Sequence, residues 1–151
     1  MKIPDSALLL ERPGYTLKIN QENGQAEFLV KAETLLDDKL VRRAKEDLEM
    51  LCPGKKFFLL VGSNGFFRVT RKARKLAASR KFSDHLRAVA CYTSNSSLAL
   101  LAELYIKLNK PAVPTHLFYS RELALEWLHE QMTLQEQSQG SGEPSLQQFP
   151  N

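Results

Sequence analysis

The stretch "FFLLV" at positions 57–61 constrains the fold most, because it is an unbroken run of five apolar residues. A strand with one face in solvent alternates apolar and polar side chains, whereas an unbroken apolar strand needs cover on both faces. Such strands are typical of parallel sheets with helices packed on each side. The run therefore predicts a central strand in a two-sided α/β sandwich.

Strand and helix patterns alternate along the rest of the chain after this run. Residues 87–93 ("RAVACYT") and 115–118 ("THLF") predict two further strands. Helical periodicity begins near Thr34, Thr70, Ser97 and Ser120. The hydroxyls of Thr34 and Ser120, and the Ser/Asn cluster that precedes the third helix, are suited to cap helices. Alternation of this kind predicts parallel βαβ units with right-handed crossovers and about four helices.

A β-hairpin is predicted before the first helix. Asn23-Gly24 is a strong two-residue turn signal, and it separates alternating runs at residues 15–21 and 25–31. The run "SALLLE" at residues 6–11 is compatible with a short additional edge strand. The predicted fold class is thus α/β, with a mixed four- to five-stranded sheet built from the N-terminal hairpin and the parallel segment.

The composition changes near the C-terminal end of the chain. Residues 133–151 ("TLQEQSQGSGEPSLQQFPN") are rich in Gln, Ser and Gly and contain few apolar side chains. A segment of this kind buries too little apolar surface to offset the entropy lost on ordering. We expect a single domain over residues 1–132, followed by a flexible polar tail over residues 133–151.

Composition and motifs give no support to catalysis or metal binding. The two cysteines, Cys52 and Cys91, stand alone, and the three histidines are scattered, so no metal-ligand spacing occurs. Phosphate-binding, dinucleotide-binding and hydrolase signatures are absent. No apolar run approaches the roughly 20 residues of a membrane span, and the N-terminus does not resemble a signal peptide. We expect a cytoplasmic protein without a cofactor, a metal or enzymatic activity.

Several sequence pieces carry a resemblance to a known family. They are "AVA" at residues 88–90, the helix at 97–109, "NKPAVPTHLF" at 109–118 and "ALEWL" at 124–128. With the element order, they make residues 16–131 similar to the STAS domains, and in particular to small uncharacterised bacterial STAS-like proteins. This is the SpoIIAA-like fold of the anti-sigma factor antagonists. The resemblance implies a STAS-like sandwich that acts through protein contacts.

The chain departs from that family at the phosphorylated serine. Anti-sigma factor antagonists carry this serine in an Asp-Ser-Ser-Gly-like stretch after a central strand, whereas residues 62–70 here read "GSNGFFRVT". The loop lacks the motif and has no acidic residue, which weakens the case for a phosphoswitch. Ser63 and Thr70 remain the candidate phosphoacceptors.

Small polar residues follow the predicted parallel strands, where ligands collect in open α/β sheets. They include Ser63 and Asn64 after one strand and Ser94 and Asn95 after the next. Helix capping and turn formation are the simpler explanation for such residues. The alternative is a small recognition surface for a polar or anionic group.

The helix that starts at Thr70 is strongly basic. Arg71, Lys72, Arg74 and Lys75 surround a narrow apolar stripe, and cations in a first turn oppose the helix dipole. A solvated helix face, an acidic protein partner, and nucleic acid or phospholipid headgroups are all compatible with this pattern.

Taken together, the residues and the resemblance favour a non-catalytic STAS-like protein-interaction and regulatory module. Its partner would be an acidic protein or a second copy of the chain in a homodimer. The alternatives are a small anionic ligand or lipid headgroup at the strand ends, and weak nucleic-acid binding through the basic helix. A net charge of only +4 makes nucleic acid the less favoured partner.

Overall fold

The structure is a computed structural model that describes the backbone of residues 7–148 and the side chains of residues 7–137. The predicted tail therefore lies partly outside the described residues, at positions 149–151. The strands are β1 (Ala7–Glu11), β2 (Tyr15–Asn20), β3 (Gln25–Val30), β4 (Leu35–Leu36), β5 (Phe57–Ser63), β6 (Arg68–Val69), β7 (Leu86–Tyr92) and β8 (Thr115–Phe118). The α-helices are α1 (Asp38–Leu51), α2 (Arg71–Ala78), α3 (Ser96–Leu104) and α4 (Arg121–Gln148). A 3-10 turn (Phe82–His85) precedes β7, and a π-helical turn (Tyr105–Asn109) extends α3.

The main sheet has six strands in the order β1-β2-β3-β5-β7-β8. The first three are antiparallel, and β3, β5, β7 and β8 run parallel to one another. The predicted α/β class, hairpin and parallel segment are confirmed, but the predicted four to five strands are too few. The additional strand is β1, which pairs with β2 along its whole length and so becomes a full edge strand.

Helices pack on both faces of the sheet at its centre, as the apolar run predicted. One face packs against α1 with a core that contains Tyr15, Leu17, Ile19, Phe28 and Phe57. The opposite face packs against α4 through the buried residues Phe58, Leu60, Ala88, Ala90, Ala124 and Leu128. Successive residues Phe57 and Phe58 therefore enter opposite cores, as the two-residue period of a strand requires.

The first helix begins later than the sequence suggested. Asp37, not Thr34, caps α1, because its Oδ1 accepts a hydrogen bond from the Leu40 N–H at 2.9 Å. Leu35 and Leu36 instead form β4, which pairs in parallel with Arg68 and Val69 of β6. A two-residue strand pair has no sequence period of its own, so periodicity could not reveal it.

The last helix continues beyond the point where the sequence predicted it to end. Its backbone is helical to Gln148, through a segment assigned by composition to the tail. Gln135 still contacts the domain, since its Nε2 donates to the carbonyl oxygen of Arg87 at 3.4 Å. The division into a domain over 1–132 and a tail over 133–151 stays a prediction. Within the described chain, no helix is long and apolar enough to cross a membrane.

Candidate functional site

The carboxyl ends of β3, β5, β7 and β8 meet at one edge of the sheet, because the four strands are parallel. Ser63 ends β5, and Asn64 follows it. Ser94 and Asn95 follow β7, the neighbouring strand. The structure thus places both predicted polar loops at the same edge.

Backbone hydrogen bonds fix where the basic helix starts. The Arg68 N–H donates to Thr34 O and the Thr70 N–H to Leu36 O, each at 3.0 Å. Thr70, where the sequence predicted the helix to begin, caps α2, since its Oγ1 accepts from the Ala73 N–H at 3.1 Å. The β4–β6 pair therefore anchors the amino end of α2 beside the sheet edge.

We define the basic surface as Arg68, Arg71, Lys72 and Lys75. All four side chains are exposed, and none forms an ion pair with any residue that the structure describes. Phe66 lies just before them in the chain and is 45% exposed. The surface therefore combines unpaired cations with an exposed aromatic ring.

Arg74 is separate from the basic surface. It is half-buried, and its guanidinium donates to the carbonyl oxygen of Val69 at 3.0 Å. Its side chain lines an interior cavity between the helices and the sheet. The sequence grouped Arg74 with Lys72 and Lys75, because helical spacing alone does not show whether a side chain is exposed or borders an internal space.

Local structure explains some of the small polar residues at the strand ends. Asn95 caps α3, because its Oδ1 accepts from the Leu98 N–H at 3.0 Å. Ser120 caps α4 in the same way, through the Leu123 N–H at 3.2 Å. The side chains of Ser63, Asn64 and Ser94 make no hydrogen bond within the described residues and stay available to a ligand or partner.

A polar cluster that the sequence did not reveal lies on the face of the sheet that packs against α4. Glu27 of β3 accepts two hydrogen bonds from Arg121, at 3.0 and 2.7 Å, and one from the Tyr92 hydroxyl at 3.0 Å. Burial alone would raise the pKa of Glu27, but the hydrogen bonds and charge of Arg121 outweigh it and lower that pKa. These hydrogen bonds connect the start of α4 to β3 and β7, which are far apart in the sequence.

An apolar cavity of about 210 Å³, partly open to solvent, lies between the other face of the sheet and helices α1, α2 and α3. Its walls include Val61 of β5, Val89 of β7 and Leu98 of α3. Small side chains on the inner helix faces leave this space unfilled. They are Ala44 of α1, Ala73 and Ala77 of α2, and Ala102 of α3.

The solvent exposure of side chains on β5 and β7 is consistent with this unfilled cavity. Leu59, Val61, Val89 and Cys91 face the cavity and are only partly buried. The alternating residues of the same two strands, Leu60, Ala88 and Ala90, face α4 and are 0% exposed. Central strands of a sandwich are normally buried on both faces, so the helix layer does not fully cover this side.

Four polar side chains join the apolar lining of the cavity: Lys45, Arg74, His85 and Tyr105. The Tyr105 hydroxyl has no hydrogen-bond partner among the described residues, and burial raises its pKa. His85 hydrogen-bonds through Nδ1 to the carbonyl oxygen of Phe82 at 3.2 Å, and burial lowers its pKa to about 4. Lys45 is paired with Asp84 at 3.0 Å, whereas Arg74 has no carboxylate partner in the described part of the chain.

The walls of this space lack the packing partners that a filled core would give them. An apolar group that filled it would bury side chains that are now partly exposed to solvent.

Acidic and sulfur ligands are not gathered for a metal ion. Over residues 7–137, no group of three or more His, Cys, Asp or Glu side chains is placed to bind one. Cys52 and Cys91 are both free thiols, and burial raises the pKa of Cys91 to about 12. A thiol with so high a pKa is protonated at neutral pH and is a poor nucleophile.

Comparison with known proteins supports the fold. The model of a protein family described as a domain of unknown function, DUF7793, matches residues 19–132. Among solved structures, the chain is similar to an uncharacterised protein of the DUF3478 family, with a SpoIIAA-like fold, from Shewanella loihica PV-4. The TM-score is 0.51 at 16% identity, and the match covers 83% of this chain and 98% of that one. No curated protein is significantly similar to the sequence.

Proposed function

The chain belongs to the DUF7793 family and has a STAS-like fold, and we propose that it acts as a non-catalytic interaction module that binds an acidic protein through its basic surface. One observation carries the proposal: Arg68, Arg71, Lys72 and Lys75 are exposed and unpaired among the described residues. The partner would contribute the carboxylates that the chain itself does not.

Local helix stability does not account for these cations. Arg71 and Lys72 lie in the first turn of α2, where the helix dipole disfavours positive charge by about 0.3–1 kcal/mol each. No acidic residue occupies that turn. A carboxylate from a partner would meet both the cations and the amino end of the helix, and both interactions favour it.

The neighbouring loop supplies an apolar contact for the same partner. Phe66 is 45% exposed, while Phe67 next to it packs against the core. An exposed aromatic ring beside charged side chains is a common anchor in protein interfaces. Nucleic acid is less favoured because the basic surface is short and the whole chain carries a net charge of only +4.

Charge reversal with a matched control tests this proposal. The tagged protein is used to capture partners from its native cells, with and without nuclease. Arg71→Glu with Lys72→Glu should abolish capture of a nuclease-resistant partner. Lys39→Glu with Arg42→Glu makes the same net charge change at exposed positions of α1 and should leave capture intact.

Three outcomes would contradict the proposal. Capture that survives reversal of Arg71 and Lys72 would remove the basic surface from the interface. Loss with both the test and the control variant would show a nonspecific charge effect. Partners that disappear with nuclease would favour nucleic acid, whose affinity should then fall linearly with the logarithm of salt concentration.

A second observation favours self-association, the other predicted partner class. Leu100, Leu104 and Leu108 follow one another at four-residue spacing along α3 and its π-helical extension. They are 59%, 43% and 71% exposed. Helix α3, which carries two residues of this leucine ridge, contacts β8, whose outer edge is unpaired in the main sheet. We propose that a homodimer would form there, because both features need cover from solvent.

Light scattering coupled to gel filtration tests the dimer. A homodimer through the leucine ridge should dissociate in the variant Leu104→Lys with Leu108→Lys, and should persist when Arg71 and Lys72 are reversed. A monomer at high micromolar concentration would contradict it.

Regulation by phosphate at Ser63 or Thr70 stays a prediction, as does a cytoplasmic location. Thr70 is the better placed of the two hydroxyls. It caps α2, so a phosphate there would lie at a helix amino end and next to Arg71 and Lys72. Such a phosphate would pair with the basic surface and compete with an acidic partner.

A further inference from the structure

The interior cavity is independent of the basic surface, and the proposed interaction does not use it. It is bounded by the sheet on one side and by α1, α2 and α3 on the other. Its volume of about 210 Å³ equals that of roughly seven water molecules in the liquid. An apolar cavity of about 150 Å³ in another protein is large enough to hold benzene.

The chemistry of the walls restricts what could occupy this space. Leu59, Val61, Val89 and Leu98 present only hydrocarbon, which favours an apolar body. Tyr105 and Arg74 add hydrogen-bond donors that retain free capacity in the described structure, and Arg74 adds a positive charge. Donors and a cation at an otherwise apolar wall match an oxygen anion at one end of the ligand.

We propose that this cavity binds a small apolar carboxylic acid, whose hydrocarbon part lies against Val61, Val89 and Leu98 and whose carboxylate pairs with Arg74. The ligand would fill the gap that Ala73 and Ala77 leave between α2 and the sheet. It would thereby bury the partly exposed faces of the two central strands, β5 and β7.

Octanoate is the probe of choice because it combines a flexible hydrocarbon body with a single carboxylate. Titration of the full-length protein, followed by calorimetry and by NMR of side-chain methyl groups, should show saturable binding. Methyl shifts should localise to Val61, Val89 and Leu98. Octanol, with the same chain and no charge, should bind at least tenfold more weakly.

Two variants separate the apolar contact from the charged contact. Ala77→Leu adds volume at the cavity wall and should weaken both octanoate and octanol by tenfold or more. Arg74→Met keeps most of the side-chain volume, and should weaken octanoate while leaving octanol unchanged. Ala32→Leu adds the same volume at an exposed position and serves as the control for Ala77→Leu.

Several results would overturn the proposal. They are the absence of saturable binding, methyl shifts confined to residues outside the cavity, and octanoate affinity that Ala77→Leu does not change. Equal affinity for octanol and octanoate would overturn the assignment of a carboxylic acid. If Ala77→Leu fails to fold, the methyl shifts of the unaltered protein and the Arg74→Met variant still decide the matter.

Discussion

Tyr92 lies so close over Gly62 that a Cβ atom built on the glycine would be 2.3 Å from the Cζ of the tyrosine ring. The two residues belong to neighbouring parallel strands, β7 and β5. The Tyr92 hydroxyl is itself fixed by its hydrogen bond to Glu27 at 3.0 Å. The ring therefore cannot swing away without breaking the polar cluster that holds α4.

Gly62→Ala should lower the free energy of unfolding by about 1–3 kcal/mol, the usual cost of overpacking. Denaturant titration measures this change. Gly14→Ala is the control, since its added Cβ would meet only the side-chain ends of Leu40 and Thr34, at 3.1 and 3.2 Å. Tyr92→Leu removes the ring and should make Gly62→Ala less costly. Equal costs in both backgrounds would show that the clash is not the cause.

Tyr15→Phe should destabilise the protein by about 1.5–3 kcal/mol, the range for hydrogen bonds to charged groups. The Tyr15 hydroxyl donates to the buried carboxylate of Asp47 at 2.6 Å, and Arg12 donates to the same carboxylate at 3.1 and 2.8 Å. A double-mutant cycle with Asp47→Asn isolates the pair. Strictly additive changes in unfolding free energy would mean that the two groups do not interact.

Acid should weaken the contact of the Asp47 carboxylate with Tyr15 and Arg12. Burial alone would raise the pKa of Asp47, but the hydrogen bonds from Arg12 and Tyr15 outweigh it and lower the pKa. Its contribution is therefore present above the unfolded pKa of about 4, and is lost as the pH falls through the lower folded value. Asp47→Asn should show a smaller loss of stability than the unaltered protein as the pH falls below about 4.

His85 should make stability depend on pH in a higher range. Burial, with the nearby charge of Lys45, lowers its folded pKa to about 4 from the ordinary 6.5, so the unfolded state binds more protons between these values. The free energy of unfolding should consequently rise with pH from about 4 to about 6.5. His85→Gln should flatten this rise. An unchanged slope in His85→Gln would contradict the assignment.

Thr70→Ala should cost about 0.5–2 kcal/mol, as is usual for the loss of a helix cap. The Thr70 hydroxyl oxygen accepts from the Ala73 N–H at 3.1 Å, and alanine cannot replace it. Thr70→Ser keeps the acceptor and should stay within about 0.5 kcal/mol of the unaltered protein in thermal or denaturant unfolding. Equal losses in both variants would point to the threonine methyl group instead.

Local signals in the sequence were sufficient for most of the elements. The strand Thr115–Phe118, the hairpin turn at Gly24 and the start of α2 at Thr70 occur where the patterns predicted them. Each depends on neighbours within about four residues, through alternation, a positive φ or a capping hydroxyl. The start of α1 was wrong because two acceptable caps, Thr34 and Asp37, lie close together and only the pairing of β4 with β6 decides between them.

The candidate site was predictable only in part. The basic residues of α2 are visible in the sequence, and Arg71, Lys72 and Lys75 prove to be exposed. Arg74, placed by the sequence in the same group, is half-buried and borders the cavity, and whether a helical side chain does so depends on what packs opposite it. The pairing of Glu27 with Arg121, 94 positions apart, leaves no local trace at all.

The sequence was enough for the α/β class, the order of the longer helices and strands and the strong positive charge of one helix, because periodicity, turn residues and charge are properties of short segments. The tertiary structure alone decided that β1 completes a six-stranded sheet, that Tyr92 covers Gly62, and that four alanines leave a cavity beside the central strands. These features depend on how side chains from separate segments of the chain fill the space between the sheet and the helices. A residue is buried, paired or left beside a gap only in relation to what the fold brings opposite it.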